Sequence, residues 1–443
     1  MKGKIGIASL GCPKNQVDAE IMLAKLKSAG YEITNDESEA QVIIVNTCGF
    51  IEAAKKESIE TIIELADLKK SGNLKALVVT GCLAQRYKEE LLKELPEVDT
   101  TVTLGANGNI VEIVDKALTG EKTGCCNAPV DDLPLEGERL IINEPYYAYL
   151  KIAEGCNNRC TYCAIPLIRG KMRSRNMGDI LSEAETLAEN GVKELVIVAQ
   201  DTTRYGEDIY GRCMLPELLK KLCAINELEW IRVLYAYPDR ITDELLDVIA
   251  DEKKIVKYLD IPIQHCCGDV LRRMNRPGDE ESLRKTIKHI RGKIPGITLR
   301  TTLITGFPGE TGEQFETLCN FVDEMKFERL GCFVYSAEEG TPAAEFDGQI
   351  SEKLKNRRAE IITEKQSLIG EKIASDKIGN TLRVLVEGYD SYIKHYFGRS
   401  EADAPDIDCK VFFTARKKHK AGEFVNVNIT DESELDLFGE EAK

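Results

Sequence analysis

The stretch YAYLKIAEGCNNRCTYC, residues 147–163, determines how the rest of the chain is interpreted. It opens with the apolar run Tyr147–Ala153, which is typical of a strand buried on both faces of a parallel sheet. Three cysteines, Cys156, Cys160 and Cys163, follow at once in the spacing C-x3-C-x2-C. Because βα folds keep their chemistry at the carboxyl ends of the strands, this stretch predicts a strand that leads into a metal site.

Five further runs of the same kind follow, mostly separated by segments of helical length. They are Glu194–Asp201, Ile231–Pro238, Lys257–Gln264, Thr298–Phe307 and Leu330–Ser336. Six βα units are too few for a complete eight-stranded barrel. The sequence therefore predicts an open, partial (β/α)6 TIM-like barrel over residues 146–350.

The chain upstream of this barrel also alternates strands and helices. Residues 4–10, 41–47 and 75–81 are short apolar runs, and helical stretches separate them. This pattern predicts an α/β region, a doubly wound, flavodoxin-like parallel sheet over residues 1–120. Residues 121–145 are rich in turn formers and are interpreted as a linker.

The chain downstream of the barrel changes character twice. Residues 351–374 are rich in Lys and Glu with apolar residues at helical spacing, and they predict a connecting helix. Residues 375–443 carry short alternating runs broken by glycines, which predict a small antiparallel β-barrel.

The spacing of Cys156, Cys160 and Cys163 indicates an iron–sulfur cluster. Structural zinc sites normally use four ligands, often as two CxxC-type pairs, and no second pair with that spacing follows. Three thiolates suit a [4Fe–4S] cluster in which one iron has no protein ligand and is open to a substrate or cofactor. Three buried or zinc-bound cysteines remain the alternative on spacing alone.

A second set of cysteines is recognised by topology rather than by spacing. Cys12, Cys48 and Cys82 each lie directly at the end of one of the three predicted strands of the first region. The carboxyl ends of parallel strands line one crevice, so the three thiols are expected to converge there. We interpret them as ligands of a second [4Fe–4S] cluster with one open iron, against the alternative of ordinary buried cysteines.

Composition restricts the class of protein. The 443 residues carry a formal net charge of −16, which argues against a protein whose main task is to coat nucleic acid. No apolar run approaches the ~18 residues of a membrane span, and the N-terminus lacks the apolar core of a secretory signal. We expect no membrane partner and a cytoplasmic location, where fifteen cysteines point to metal ligands and free thiols rather than disulfides.

The C-x3-C-x2-C motif with Tyr162 before its last cysteine, the six βα units and the second cysteine set together resemble the radical S-adenosylmethionine methylthiotransferases. The resemblance covers essentially the whole chain, and it identifies the last region as the small barrel called TRAM. Ser9-Leu-Gly-Cys-Pro-Lys-Asn15, Met274-Asn-Arg-Pro277 and Asp403-Ala-Pro-Asp-Ile-Asp408 are similar to the branch that modifies a ribosomal protein. The branches that modify transfer RNA typically carry Gln-Met-Asn where this chain has Pro13-Lys14-Asn15.

The resemblance implies a reaction and its cofactors. A methylthio group is attached to the β-carbon of an aspartate in small-subunit ribosomal protein twelve, with two S-adenosylmethionine consumed per turnover. One cofactor molecule donates a methyl group to sulfur held on the cluster of Cys12, Cys48 and Cys82. A second, on the cluster of Cys156, Cys160 and Cys163, gives the radical that abstracts the hydrogen.

The resemblance also implies which residues contact S-adenosylmethionine. Gln200 and Asp201 stand where the family holds the methionine end, and Tyr162 precedes the last cysteine of the motif. Gln264, Arg300, Thr302 and Gly306 end or line later strands that face the same site. Ordinary polar residues at strand ends, which cap the following helices, are the alternative for each position.

The charged and aromatic residues outside these motifs bear on the partners. Residues 375–443 carry 10 Lys and Arg against 14 Asp and Glu, so this barrel suits a basic ribosomal protein better than a phosphate backbone. Transfer RNA remains a less favoured substrate, because the barrel also carries aromatic residues and a basic run that could bind it. These are Tyr392, Tyr396, Phe412, Phe413 and residues 416–420.

Two partners and two alternatives complete the hypothesis. The chemistry implies a low-potential electron donor such as flavodoxin or ferredoxin, and a sulfur donor. The nearest alternative function is methylthiolation of an adenosine beside the anticodon of transfer RNA. A metal-binding RNA adaptor without turnover is the alternative from another class. The cationic run at residues 169–175 is either a solvated surface or a binding element beside the cysteine motif.

Overall fold

The computed structural model describes residues 2–121 and 123–443, and three regions follow one another along the chain. The first region is a six-stranded parallel sheet in the order β2-β1-β3-β4-β5-β6. Its strands are β1 (Lys4–Ser9), β2 (Glu32–Ile33), β3 (Val42–Thr47), β4 (Ala76–Gly81), β5 (Thr100–Val102) and β6 (Gly124–Cys126). Its helices are α1 (Pro13–Ser28), α2 (Glu52–Ala66), α3 (Leu68–Ser71), α4 (Cys82–Glu94) and α5 (Ile110–Leu118). The predicted flavodoxin-like sheet is confirmed by this strand order.

The apolar runs of β3 and β4 are continuous because helices cover both faces of the sheet. Ile44 and Val78 pack on the side of α1 and α5, whereas Ile43 and Val79 pack on the side of α2 and α4. Successive side chains of a strand point to opposite faces, so a strand covered twice needs apolar residues at every position.

The second region is the predicted partial barrel, and it is also confirmed. Six parallel strands lie in the order β14-β13-β12-β11-β10-β7. Its strands, with the short pair β8 and β9, are β7 (Tyr147–Lys151), β8 (Ala153–Glu154), β9 (Arg173–Ser174), β10 (Glu194–Val198), β11 (Trp230–Val233), β12 (Ile255–Asp260), β13 (Thr298–Thr305) and β14 (Arg329–Val334). Its helices are α6 (Ile165–Arg169), α7 (Met177–Glu189), α8 (Glu207–Tyr210), α9 (Leu215–Cys223), α10 (Asp243–Asp251), α11 (Gly268–Arg273), α12 (Glu280–Lys293) and α13 (Gly312–Met325).

The third region is a closed five-stranded barrel that follows helix α14 (Glu352–Ser375). Its strands are β15 (Thr381–Asp390), β16 (His395–Ser400), β17 (Val411–Thr414), β18 (Phe424–Ser433) and β19 (Asp436–Glu441). The prediction of a purely antiparallel barrel needs one correction, because β17 and β19 pair in parallel. Five strands that alternate in direction cannot close a ring without one parallel pair.

Both flanking regions pack on the face of the central sheet that its helices leave free. Val17 and Ile21 of α1 join a buried cluster with Tyr149, Val196 and Tyr258 of the central strands. Leu385 and Ala404 of the C-terminal barrel belong to the same cluster. The three regions therefore contribute to one shared apolar cluster, which fixes the first cysteine set relative to the second.

Two local predictions need correction. Residues 124–126, within the segment interpreted as a linker, form β6 and extend the first sheet by pairing with β5. The sequence Gly-Cys-Cys contains no apolar run, so the sequence pattern does not indicate that this segment pairs with β5 through its backbone. The sequence predicts the helix after β4 over Lys88–Leu95, but helix α4 begins earlier, at Cys82, and is interrupted at Lys88, where φ is 44°.

Among residues 2–121 and 123–443, no helix combines the length and the hydrophobicity that crossing a bilayer requires.

Candidate active site

Cys12, Cys48 and Cys82 lie together at one edge of the first sheet; we call them the strand-end triad. They follow β1, β3 and β4, which are neighbours in the sheet, and Asn46 of β3 lies opposite both Ser9 and Thr80. The approach is close: a Cβ placed on Gly11 would lie 3.0 Å from Cys48 Sγ. Gly11 has a φ of +90°, so both its conformation and the nearby thiol exclude a side chain there.

Asn15 holds the ends of the strands that carry Cys12 and Cys48. Its amide Nδ2 donates to the carbonyl oxygen of Leu10 at 2.7 Å and to that of Thr47 at 3.2 Å. Asn46 in turn donates through Nδ2 to the Asn15 carbonyl oxygen at 2.7 Å. The asparagine three residues after Cys12 thus acts as a clamp between β1 and β3 within the strand-end triad.

The three thiols of the strand-end triad differ in their electrostatics. Burial opposes ionisation of Cys12, but the Lys14 and Arg169 cations and the N–H groups of Asn15 and Lys14 lower its pKa overall. Burial raises the pKa of Cys48 to about 12, with a further contribution from Cys82. Burial also raises the pKa of Cys82, although the Arg169 cation opposes this. Cys12 is therefore the thiol of this triad that ionises most readily.

Cys156, Cys160 and Cys163 lie in the loop after β8; we call them the loop triad. Thr161 in this loop donates its hydroxyl to the Arg273 carbonyl oxygen at 2.7 Å, and Asn275 donates Nδ2 to the Arg159 carbonyl oxygen at 2.7 Å. The segment at the end of α11 therefore holds the cysteine loop by its backbone. Burial raises the pKa of Cys156 to about 11, with smaller contributions from Asp201 and Cys160.

An arginine and two tyrosines surround the loop triad. The Tyr237 hydroxyl lies 3.4 Å from Cys160 Sγ. Arg276 places its guanidinium 4.3 Å from the centre of the Tyr237 ring and donates to the Tyr162 hydroxyl at 3.4 Å. Tyr162 was predicted from its place in the motif, whereas Tyr237 follows β11 without any signal in the sequence. Arg276 belongs to the Met-Asn-Arg-Pro motif, but the motif alone does not indicate that this arginine lies beside the loop triad.

Gln200 and Asp201 lie at the end of β10 next to the loop triad. Gln200 donates Nε2 to Glu154 Oε1 at 2.5 Å, and its own Oε1 is buried with no hydrogen-bond partner among the described residues. Asp201 accepts from Asn158 Nδ2 at 2.7 Å and from the Thr203 N–H at 3.1 Å. Asp201 thus both caps the following turn and anchors the loop between Cys156 and Cys160.

The other predicted cofactor contacts lie on β12–β14 and behave differently from one another. Gln264, with a φ of +69°, donates its N–H to the Thr302 carbonyl oxygen at 2.8 Å and so adds to β13. Arg300 pairs with Asp260 at 3.1 Å and lies 3.9 Å from Asp408 of the C-terminal barrel. These carboxylates hold the Arg300 side chain.

Gly306 lies against helix α14. Its N–H donates to the Glu310 carboxylate, and a Cβ placed on it would lie 2.3 Å from Lys355 Cγ on α14. The structure therefore packs Gly306 against α14, and its predicted contact with the cofactor stays a prediction. Helix α14 is far away in sequence, which is why the strand pattern could not indicate this neighbour.

A buried ionic network connects the two triads. Arg169, predicted within a cationic run, donates Nη1 to Asp18 of α1 at 3.0 Å and to Glu154 of β8 at 2.8 Å. Lys151 contacts the same two carboxylates at 2.5 and 2.9 Å. All four side chains are at most 1% exposed. The network spans the first two regions, and Glu154 stands two residues before Cys156.

The donor set of each triad fits an iron–sulfur cluster better than a single ion. All six cysteines are free thiols, and each triad brings three of them to one place. Among residues 2–121 and 123–443, no group of three His, Cys, Asp or Glu side chains is placed to hold one metal ion. Thiolates around one zinc ion all lie about 2.3 Å from it, whereas the thiolates of a cluster bind different irons and stand further apart.

A cavity of about 350 Å³ opens beside Cys160. Asn158, Arg204, Tyr237 and Arg240 contribute to its lining. Arg204 and Arg240 both contact Glu207, at 2.8 and 2.7 Å, so the positive charge at this opening is partly compensated.

Family models match three parts of the chain. Residues 4–103 match the uncharacterized protein family UPF0004, residues 150–322 match the radical SAM superfamily, and residues 378–441 match the TRAM domain. These boundaries fall within the three regions of the structure.

Curated relatives match the chain over nearly its full length. A ribosomal protein uS12 methylthiotransferase RimO of Lachnoclostridium phytofermentans is 51% identical over 98% of this chain and 99% of its own. The protein of the same name from Caldanaerobacter subterraneus subsp. tengcongensis is 52% identical over the same shares. Another, from Pelotomaculum thermopropionicum, is 52% identical over 99% of both chains.

Solved structures share the fold. The radical S-adenosylmethionine methyltransferase TsrM from Kitasatospora setae, with tryptophan substrate and a cofactor analogue bound, superposes with a TM-score of 0.59. It covers 83% of this chain and 89% of that chain at 14% identity. The structure of TsrM with cobalamin and a [4Fe-4S] cluster bound gives 0.58 at 13% identity, over 77% of this chain and 74% of that chain. The full-length identities establish that the chain belongs to the ribosomal protein uS12 methylthiotransferase family of radical S-adenosylmethionine enzymes.

Proposed function

We propose that this enzyme attaches a methylthio group to the β-carbon of an aspartate of ribosomal protein uS12. The observation that carries the proposal is the presence of two three-thiol sites, one at the end of each parallel sheet, joined through the buried contacts of Arg169. Sulfur insertion needs a site that makes a substrate radical and a second site that delivers sulfur to it. One shared apolar cluster joins the two regions that carry these sites.

The cofactors of this family are [4Fe–4S] clusters and S-adenosylmethionine. In our proposal the loop triad holds one cluster and the strand-end triad holds the other. When bound, these groups supply the radical, the sulfur and the methyl group of the reaction.

The residues of the chain position these groups and keep water out. The clamp of Asn15 fixes the strand ends that carry Cys12 and Cys48. The ring of Tyr237 and the guanidinium of Arg276 cover Cys160 on one side. The unpartnered oxygen of Gln200 is an acceptor for a cationic group, such as the amino group of the methionine end of S-adenosylmethionine. We propose Asp201, Gln264 and Thr302 as its neighbours around the cofactor.

The C-terminal barrel supports a protein substrate rather than transfer RNA. Of its four candidate stacking residues, Tyr392 is 93% exposed, whereas Phe413 is fully buried. Tyr396 is half-buried and its ring lies 5.6 Å from that of Phe413. Two tyrosines of the barrel are exposed, Tyr389 at 51% and Tyr392 at 93%, but its net negative charge suits a basic ribosomal protein better than a polyanion.

Further partners follow from the chemistry. We propose that a low-potential electron donor of the flavodoxin or ferredoxin class reduces the clusters and that a separate donor restores the sulfur. We also propose that the enzyme acts in the cytoplasm, where ribosomal proteins are made.

The test begins with metal analysis of protein purified without oxygen. We expect about eight irons per chain, falling to about four when either triad is replaced by alanine. Replacement of Cys125, Cys126 and Cys213, which lie outside both triads, should leave the iron content unchanged. Mass spectrometry of uS12 incubated with the wild-type enzyme should then show the mass of one added methylthio group on an aspartate. An unmodified uS12, or full iron in the strand-end variant, would contradict the proposal.

A further inference from the structure

Lys14 is a buried cation between the two regions that carry the triads. It lies in the first turn of α1, two residues after Cys12, and only 8% of its surface is exposed. Its Nζ lies 3.6 Å from the centre of the Tyr235 ring, which belongs to the central region. A side chain of the first region thus ends at the carboxyl end of a strand of the second.

No carboxylate of the described residues lies within 4.0 Å of Lys14 Nζ, whose neighbours are the ring face of Tyr235 and the thiol of Cys12, the pKa of which it lowers. The neighbouring buried cations are different, because Lys151 and Arg169 each contact both Asp18 and Glu154. A buried charge is normally paired, and a cation–π contact compensates only part of the lost hydration. The ammonium of Lys14 is therefore able to accept an anion.

Tyr235 is held rigidly in a conformation that is rare for a residue with a side chain. Its φ is +60°, its N–H donates to Asp260 at 3.1 Å, and its carbonyl oxygen accepts from the Thr202 N–H at 3.1 Å. Backbone strain of this kind persists only where the surroundings impose it. The ring is thus fixed two residues beyond the end of β11, and it sets the position of the Lys14 ammonium.

We propose that Lys14 is a specificity-determining residue whose ammonium binds the side-chain carboxylate of the target aspartate of uS12. This inference rests on the proposed function. The β-carbon of aspartate is bonded directly to that carboxylate, so an ion pair with Lys14 orients the reacting carbon beside the strand-end triad. A substrate without a carboxylate leaves the ammonium unpaired and is disfavoured.

The other carboxylate that could reach this site is that of S-adenosylmethionine, and the test separates the two sources. Binding of unmodified uS12 to the reconstituted enzyme is measured without reductant, so that no turnover occurs. The uS12 carries either its native aspartate or asparagine at the target position. The enzyme is wild type, Lys14→Met, Lys14→Arg, or Lys27→Met, which removes an exposed charge from the same helix as a matched control. Binding of S-adenosylmethionine is measured for each variant.

We expect Lys14→Met to weaken binding of native uS12 at least tenfold, with Lys14→Arg between it and the wild type. The asparagine form of uS12 should bind the wild-type enzyme as weakly as native uS12 binds the Lys14→Met enzyme. The Lys14→Met substitution should not weaken binding of the asparagine form any further. Lys27→Met should change the binding of neither form of uS12. Iron content and thermal unfolding show whether each variant is folded.

Three results would overturn the inference. The first is equal binding of the aspartate and asparagine forms of uS12 to the wild-type enzyme. This result needs no enzyme variant, so it holds whether or not Lys14→Met folds. Loss of S-adenosylmethionine binding with native uS12 binding retained would assign the ammonium to the cofactor. If uS12 does not bind the wild type at all, the proposed function itself fails.

Discussion

The two cysteine triads reach similar donor sets by opposite routes. The loop triad lies within residues 156–163, and contacts from the end of α11 hold it. The strand-end triad is spread over residues 12–82, and only the pairing of β1, β3 and β4 brings it together. A metal site is therefore encoded either in a spacing or in a topology, and the second kind becomes visible only when a fold has been assigned.

The surroundings of the triads differ as well. Two cations, Lys14 and Arg169, stand next to the strand-end triad and lower the pKa of Cys12. The loop triad has an arginine stacked on a tyrosine ring and a cavity beside Cys160. This difference suits a division of work in which one site holds an anionic sulfur species and the other admits a small cofactor.

Removal of each triad in turn should give the largest effects and separate the two roles. Alanine at Cys156, Cys160 and Cys163 should reduce both 5′-deoxyadenosine formation and methylthiolation of uS12 to background. Alanine at Cys12, Cys48 and Cys82 should abolish methylthiolation and leave 5′-deoxyadenosine formation. Chromatography of the nucleoside and mass spectrometry of uS12 measure the two outcomes. Loss of both activities in both variants would show that the triads do not act separately.

Much of this arrangement could be predicted from the sequence because its signals are local or periodic. The buried strands are recognisable as apolar runs, and their parallel order predicts that Cys12, Cys48 and Cys82 meet at one edge. The loop triad was visible as a spacing. For both triads the decisive neighbours lie either a few residues away or at equivalent strand ends.

The remaining features depend on pairs of residues that are far apart in sequence. Arg300 stays a predicted cofactor contact, and its ion pairs with Asp260 and the distant Asp408 had no signal in the sequence. Gly306 packs against Lys355, which lies on a helix of another region. Lys14 gave no signal beyond its motif, because its partner Tyr235 stands more than two hundred residues away. No periodicity reports a contact of this kind.

The buried network between the triads should give the next largest effect. Arg169→Met leaves Asp18 and Glu154 with Lys151 as their one remaining cation, and removal of one partner of a buried ionic group typically costs about 3–5 kcal/mol. The free energy of unfolding of the iron-free protein, from denaturant titration, measures this loss. Lys171→Met, an exposed cation two residues away, is the control and should change stability by less than ~0.5 kcal/mol. Similar values for both variants would mean that the network does not hold the two regions together.

A smaller effect should be confined to the loop triad. Asn275 has a φ of +54° and donates to the Arg159 carbonyl oxygen. Asn275→Ala loses this hydrogen bond and places a less suitable residue in the left-handed region, with an expected loss of about 1–2 kcal/mol. Asn275→Gly loses the bond but not the conformation and should be less destabilised. Iron analysis should show a deficit at the loop triad alone, and an equal deficit at both triads would contradict the prediction.

The smallest expected effect is a dependence on pH that acts through the support of the loop triad. His265 is fully buried, and its Nδ1 accepts from the N–H of Cys267, the residue directly before α11. Burial, with Arg273 and Arg358 nearby, lowers the pKa of His265 to about 3. The unfolded chain takes up a proton below about pH 6.5 and the folded chain does not, so stability falls as the pH drops from 6.5 towards 3.

Between pH 7.5 and 5.5 this histidine should account for a loss of about 1.4 kcal/mol in the free energy of unfolding. His265→Asn keeps an acceptor for the Cys267 N–H but does not titrate, so it should flatten the pH profile by that amount. His289→Asn, on the exposed face of α12, is the control and should not flatten it by that amount. If the pH profiles of wild type and His265→Asn are parallel, protonation of His265 does not contribute to the loss of stability in acid.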